Sequence, residues 1–267
     1  MTRPDGNGTH LTPSGIRRLI REDRFGGFTN LAASDYVQGN LMIVPADAAD
    51  EFEGFCASNP QALPLLGRSE PGDARIPALA DDLDLRTDVG AYTVFRNGDV
   101  AAVVPDIADI WRDDLVAFVI GCSFSFETLL RRGGVRLRHL DEGNVSAMYV
   151  TTLPTVPSGR FGGPLVVSMR ALTPADAIRA TLLSAAQPRF HGAPVHIGIP
   201  ELIGIDDLQN SYGGHGLKTL RADELPVFWA CGATAQLAAL HARLPFCITH
   251  HKAHMVLTDR LIEEIAA

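Results

Sequence analysis

Two stretches set small polar residues and a thiol directly behind an apolar run, FVIGCSFSFETLL at 118–130 and VFWACGATAQLAAL at 227–240. A strand that passes straight into a helix leaves backbone N–H groups unpaired at the helix start. Such an end attracts carboxylates and phosphates. Ser123 and Ser125 in the first stretch, and Gly232 and Thr234 in the second, are therefore candidate substrate-binding groups. Cys122 stands just ahead of a helix, where a thiol can be held as thiolate, and is a candidate catalytic group. Glu127 lies in the first turns of the same helix, where the dipole favours a carboxylate; it is a candidate acid or base. Cys231, between Ala230 and Gly232, reads as structural.

The histidines gather late: His215 in YGGHGLKTL, then His250, His251 and His254 in THHKAHM. On a helix, His250 and His254 would share a face and could hold a divalent metal. The preceding PFCIT reads as a strand, Lys252 would put a cation beside the ligands, and HExxH is absent. Loop-borne imidazoles for proton transfer or hydrogen bonding are expected instead, with His254 catalytic and His215 and His250 binding substrate. Arg170, closing RFGGPLVVSMR, is a candidate carboxylate fork. The glycine-rich SYGGHG matches neither a dinucleotide loop nor a Walker loop, so NAD and ATP are not expected.

The elements that must carry these groups are legible as hydrophobic patterns. NLMIVP (40–45) and LVAFVIG (115–121) read as buried strands, and ADAADEFEGFCASNP as a helix ending near Pro60. AYTVFRNGDVAAVVP is a hairpin turning at Asn97-Gly98. GIRRLIRED has helical spacing, and TPADAIRATLLSAA opens with Thr173 as N-cap and Pro174 at the first helical position. VRLRHL, NVSAMYVTT, GPLVVSMR and HGAPVHIGIP read as strands, and RRGGVRLRHL as a solvated helix end and strand face. LPVFWACG, ATAQLAALHARL and PFCITHH give strand, helix and strand, a parallel βαβ unit. The expected fold is α/β: a three-layer α/β/α domain built from residues 1–133 and 223–267, with an inserted two-layer α+β domain at 134–222. Residues 1–14 are expected to form a loose tail.

The chain has 267 residues, 46% of them apolar, and a net charge of −8. That is enough apolar material for a substantial core. The acidic balance and the lack of a dense Lys/Arg block argue against nucleic acid and anionic membranes as partners. Four isolated cysteines without a CxxC pair suit reduced thiols. No apolar run resembles a leader or a membrane span, so a cytoplasmic enzyme is expected, and a homo-oligomer is compatible with its size.

Taken together, the segments YVQGNLMIVP (36–45), LRTDVGAYTVFRNG (85–98), VIGCSFSFE (119–127), NVSAMYVT (144–151), GRFGGPLVVSMR (159–170), IDDLQNSYGG (205–214), ELPVFWACGATAQLA (224–238) and ITHHKAHMVLTD (248–259) resemble the D-glutamate cyclase family. The resemblance implies a cofactor-free hydro-lyase acting on a small amino or hydroxy carboxylic acid, represented by ring closure of D-glutamate to 5-oxo-D-proline with loss of water. For that reaction Glu127 and His254 would be the acid/base pair. The N–H groups after Cys122, with Ser123 and Ser125, would cradle a carboxylate that Arg170 and His215 orient. Cys122 would act by hydrogen bonding or proton transfer. A non-catalytic carboxylate binder and a metal-dependent lyase or hydrolase on His250 and His254 are the alternatives. The chain departs from the family pattern at Lys252-Ala253, where Pro-Gly is usual, at Ala171 in place of Pro, and at Thr152. A new lysine and a lost glycine beside a ligand are expected to alter substrate choice.

Overall fold

The computed structural model describes residues 12–29 and 32–265. Helix α1 (Pro13–Arg21) starts where Thr12 Oγ1 accepts from Gly15 N–H at 3.2 Å, with proline inside the first turn. Residues 13 and 14 thus belong to a helix and not to the expected tail, whose residues 1–11 lie outside the described residues. There follow β1 (Tyr36–Pro45), α2 (Ala46–Ser58), β2 (Leu65–Arg68), β3 (Tyr92–Arg96), β4 (Asp99–Val104), β5 (Leu115–Gly121), α3 (Ser123–Arg132) and α4 (Arg138–Asp141). The second half holds β6 (Ala147–Pro154), β7 (Pro164–Leu172), α5 (Pro174–Ala185), β8 (His196–Ile197), β9 (Leu225–Ala230), α6 (Ala233–Ala242), β10 (Cys247–His250), β11 (Val256–Leu261) and α7 (Ile262–Ile265). Asn97 and Gly98 turn the β3–β4 hairpin with both φ angles positive, at 52° and 86°, the backbone a two-residue primed turn needs.

The strands form two sheets, one of seven strands in the order β2-β5-β1-β10-β3-β4 with β11 also on β1, and one of four in the order β6-β7-β9-β8. Every pairing between these strands is antiparallel. The expected parallel βαβ unit is therefore corrected. β9 pairs with β7 in the small sheet, and α6 carries the chain across to β10 in the large one. The boundary drawn at 223 thus places β9 in the wrong sheet. A continuous apolar run signals a strand covered on both faces. Here β1 and β5 are covered on both faces although their neighbours run antiparallel.

Alternate residues of β1 and β5 feed two cores. Met42, Val44, Phe118 and Ile120 pack against α2 and α6. Leu41, Ile43, Ala117 and Val119 pack against Ile76, Leu79, Leu83, Leu85 and Val89 from an irregular segment. One flank of the large sheet is thus helical, while this other core is closed by coil rather than by the helical layer expected. The four-stranded sheet packs Val227 and Trp229 against Phe126 and Leu130 of α3 and Ala177 and Ala180 of α5, so α3 sits between the two sheets. VRLRHL does not form a strand: Arg138–Asp141 is one helical turn, folded back after the Gly133-Gly134 reversal. HGAPVHIGIP yields only the two-residue β8.

Candidate functional site

β7 points Ser168 and Arg170 to the same side, as residues two apart on a strand must, and that side meets α3. The buried Arg170 guanidinium donates from Nε and Nη2 to Glu127 Oε1 at 3.1 and 2.7 Å, from Nη2 to Ser123 Oγ at 2.8 Å and from Nη1 to Ser168 Oγ at 2.6 Å. Its planar group lies 4.9 Å from the Phe126 ring and 5.4 Å from Trp229, the stacking that guanidinium tolerates and ammonium does not. His139 Nε2 donates to the same Glu127 oxygen at 3.0 Å, while Oε2 is buried without a partner. Burial alone would raise the Glu127 carboxyl, but His139 and Arg170 outweigh it and hold it at about 2. Glu127 is therefore a fixed anion at neutral pH.

Cys122 is the N-cap of α3 and accepts from Phe124 N–H at 3.5 Å. Its thiol is pushed up to about 12 by burial. This corrects the thiolate expectation: desolvation outweighs the helix start. All four cysteines are free. Ser125 Oγ accepts from Gln38 N–H at 3.0 Å and ties α3 to β1. Thr234 Oγ1 accepts from Val166 N–H at 3.0 Å and donates to Cys231 O at 2.7 Å, tying α6 to β7. Both hydroxyls are taken up by the fold. The two helix starts do meet, although their strands lie in different sheets, and what joins them is Asn40. Its Nδ2 donates to Gly121 O at 2.9 Å, and a Cβ on Gly232 would stand 2.2 Å from that same nitrogen.

The histidines sit elsewhere, where β1 changes partners. Between the Met42–Thr249 and Gly39–Val256 pairs, β1 advances three residues and the strand beside it seven. Because of that surplus, residues 251–255 leave the ladder between β10 and β11 as an extended bulge that re-aims their side chains. His250 closes the gap with its own ring: Nδ1 accepts from Leu41 N–H at 3.0 Å. The bulge forms one wall of a cavity of about 440 Å³, and His215 with its flanking glycines, Asn144 and Phe28 form the rest. The chain at Gly216 runs at φ +93 with Ala147 backbone 2.4 Å from where a Cβ would be, so this wall requires glycine.

Within the cavity, Thr93 Oγ1 and His251 Nδ1 lie 2.9 Å apart, fixing that ring. His254 packs edge-on to Phe28 and against Gly90, where a side chain would come within 2.7 Å of His254 Nδ1. That Nδ1 is buried and has no partner. Burial and then the neighbouring His251 lower the His254 pKa; burial, then Lys252 and His215, lower that of His251. None of the residues lining the cavity is a carboxylate.

Of the sequence-derived candidates, Glu127, Ser123 and Arg170 come together, with Cys122 close by at the cap of the same helix. His215 and His254 come together at the cavity. No hydrogen bond or ion pair joins Glu127 to His254 among the described residues; Glu127 is engaged by His139 and Arg170 instead. Ser125, Thr234, Gly232 and His250 hold elements together. Among the described residues no group of three or more His, Cys, Asp or Glu is placed to hold a metal ion, and His250 spends one ring nitrogen on β1. The sequence reading missed His139, Asn40 and the cavity role of His251, and singled out Lys252 only as a departure beside the ligand. For His139 the usable signal was Gly133-Gly134, which predicts a chain reversal onto α3.

A family model described as D-glutamate cyclase matches residues 116–259. A protein of Methylobacterium radiotolerans is 51% identical over 93% of this chain and 92% of its own length. One of Verminephrobacter eiseniae is 50% identical over 99% of this chain and 96% of its own. Both are named "Putative hydro-lyase". Among solved structures, a nitrogen repressor-like protein of Methanococcus jannaschii aligns over 84% of this chain and 88% of that one, with 10% identity and a TM-score of 0.40, too slight a likeness to argue from. This chain belongs to the D-glutamate cyclase family. Among the described residues no helix is long and apolar enough to cross a membrane.

Proposed function

We propose that this chain is a hydro-lyase that takes a small amino or hydroxy carboxylic acid into the cavity between the 251–255 bulge and the 211–216 loop. The observation that carries this reading is the lining: three imidazoles and an ammonium with no carboxylate among them. Such a lining draws in a carboxylate. It also disfavours a second positive charge, so a substrate ammonium there gives up its proton more readily.

The family reaction, D-glutamate to 5-oxo-D-proline and water, fits those demands. The amine nitrogen attacks the side-chain carboxyl carbon, a C–N bond forms and a C–O bond breaks. The ammonium releases two protons in all, and the departing oxygen carries both away as water. His254, kept neutral near pH 7 by burial and His251, accepts a proton from the amine and returns it to the leaving oxygen. His251 and His215 donate hydrogen bonds to the carboxyl oxygens as charge builds there. Glu127 takes no proton; it anchors Arg170 and so positions α3 against β7.

The test is a panel of small amino and hydroxy acids, D-glutamate included, incubated with the protein and with His254→Gln and read by mass spectrometry for a change of one water. Turnover by the wild type alone is expected. Calorimetric binding of an acid with no water gained or lost by any panel member would favour a carboxylate binder instead.

A further inference from the structure

Only two of the 23 basic residues are lysines, Lys218 and Lys252, and both reach the same loop. Lys252 Nζ donates to Gly213 O at 2.6 Å and Lys218 Nζ to Gln209 O at 3.0 Å. The two differ in setting: Lys252 lines the cavity and Lys218 does not. An ammonium has three donors, and Lys252 uses one of them on a neutral carbonyl. It is half-buried and forms no ion pair among the described residues, whereas arginines elsewhere are repeatedly matched with carboxylates, as in Arg138–Glu224 at 2.7 Å and Arg132–Asp35 at 2.7 Å. Burial, then the like charge of Lys218, lowers the Lys252 pKa. A partly desolvated cation without a counter-charge is costly, and here its other neighbours across the cavity are imidazoles.

We propose that Lys252 is the receptor for a second carboxylate of the substrate, so that this cavity selects diacids over otherwise identical molecules with one end neutral. This rests on the cavity being the substrate site. The ammonium already reaches across the cavity to the 211–216 loop. A carboxylate entering between them offers an anionic acceptor to the two idle donors, a stronger hydrogen bond than any to a carbonyl. Gly213 keeps the approach open, since a Cβ there would stand 2.5 Å from Nζ. The position also separates the two ends of a bound diacid: the histidine-rich wall for the reacting carboxyl, the lysine for the other.

The experiment compares binding, by calorimetry, of C4 and C5 dicarboxylic acids bearing hydrogen, hydroxyl or amino at C2 with that of their monoamides. The proteins are the wild type, Lys252→Met, Lys252→Gln and Lys218→Met, each checked by thermal melting. We expect the wild type to prefer diacids by about tenfold or more, the worth of a charge-assisted hydrogen bond. Both Lys252 variants should lose the preference and Lys218→Met should keep it. An unchanged preference in the Lys252 variants overturns the proposal, as does an equal loss in Lys218→Met, which would mean a diffuse field rather than a receptor. Binding is read without turnover, so diacid selectivity with no water lost from any acid would sink the hydro-lyase reading while leaving this one standing.

Discussion

The centre around Glu127 and the cavity around His254 both collect ionisable groups, yet they are opposites in charge. At the first, a guanidinium meets a carboxylate and an imidazole in a dry interior, and every donor on Arg170 that faces the cluster has an acceptor. At the second, three imidazoles and an ammonium face open space with no anion in the lining. A compensated cluster holds elements together; an uncompensated one awaits something from outside. Sequence alone joined them into one site, pairing Glu127 with His254, because the helix starts announce themselves through small residues while the cavity is assembled from four separate segments.

The sharpest attempt to break this contrast is Arg170→Met. Stripping the guanidinium from a buried pair leaves the Glu127 charge with His139 as its remaining partner, which costs about 3–5 kcal/mol. Urea unfolding should register that loss, and a variant as stable as the parent would move Arg170 from architecture to chemistry. Next in size is a pH effect. His191 and His250 are buried, and that burial lowers each to about 4. The unfolded chain takes up protons near pH 6.5 and the folded one only near pH 4. Each therefore contributes nothing above that window, and stability falls as pH drops through it, by about 3 kcal/mol at most per histidine. Glu127, held at about 2, contributes stability above the ordinary carboxylate range that is lost only at still lower pH. His191→Asn, which keeps a donor for Gln61 O, should flatten the slope between pH 6.5 and 4 by about half in denaturation series.

His254→Gln tests the other region. Turnover should fall by about 10²–10⁴, as for loss of a general base, with the melting temperature nearly unmoved. In the wild type the rate should hold through the ordinary imidazole range and decline only below it, since burial and His251 lower the pH at which His254 charges. A large drop in melting temperature instead would make His254 another member of the scaffold. The smallest effect concerns the bulge itself. Ala253 sits at φ +61, in a region where a Cβ is strained, so Ala253→Gly should raise stability by about 0.5–1 kcal/mol and leave diacid binding intact.

Much of the fold was legible. The β3–β4 turn at Asn97-Gly98, the bounds of β5 and the Thr173 cap of α5 all follow from local chemistry that tertiary contacts then reinforced. Strand direction was not, because β5 is buried on both faces and such a strand reads the same whether its neighbours run with it or against it. The site was half legible. Cys122 and Glu127 were found by position, but their protonation depends on Arg170, 43 residues beyond Glu127, and on complete desolvation, neither of which a local pattern records. His251 was passed over because strand and helix periodicities both end there, and Lys252 stood out only as a departure from the family pattern; what makes them adjacent to His215 is a register change on β1.

That register change has a bearing on how such a protein diversifies. Because β10 and β11 both lie against the same strand, the ladder is anchored on either side of residues 251–255, and chain added or exchanged between the anchors alters neither pairing. The reactive wall is in effect a replaceable insert on a frame that need not be refitted, and Lys252-Ala253 sit in that insert.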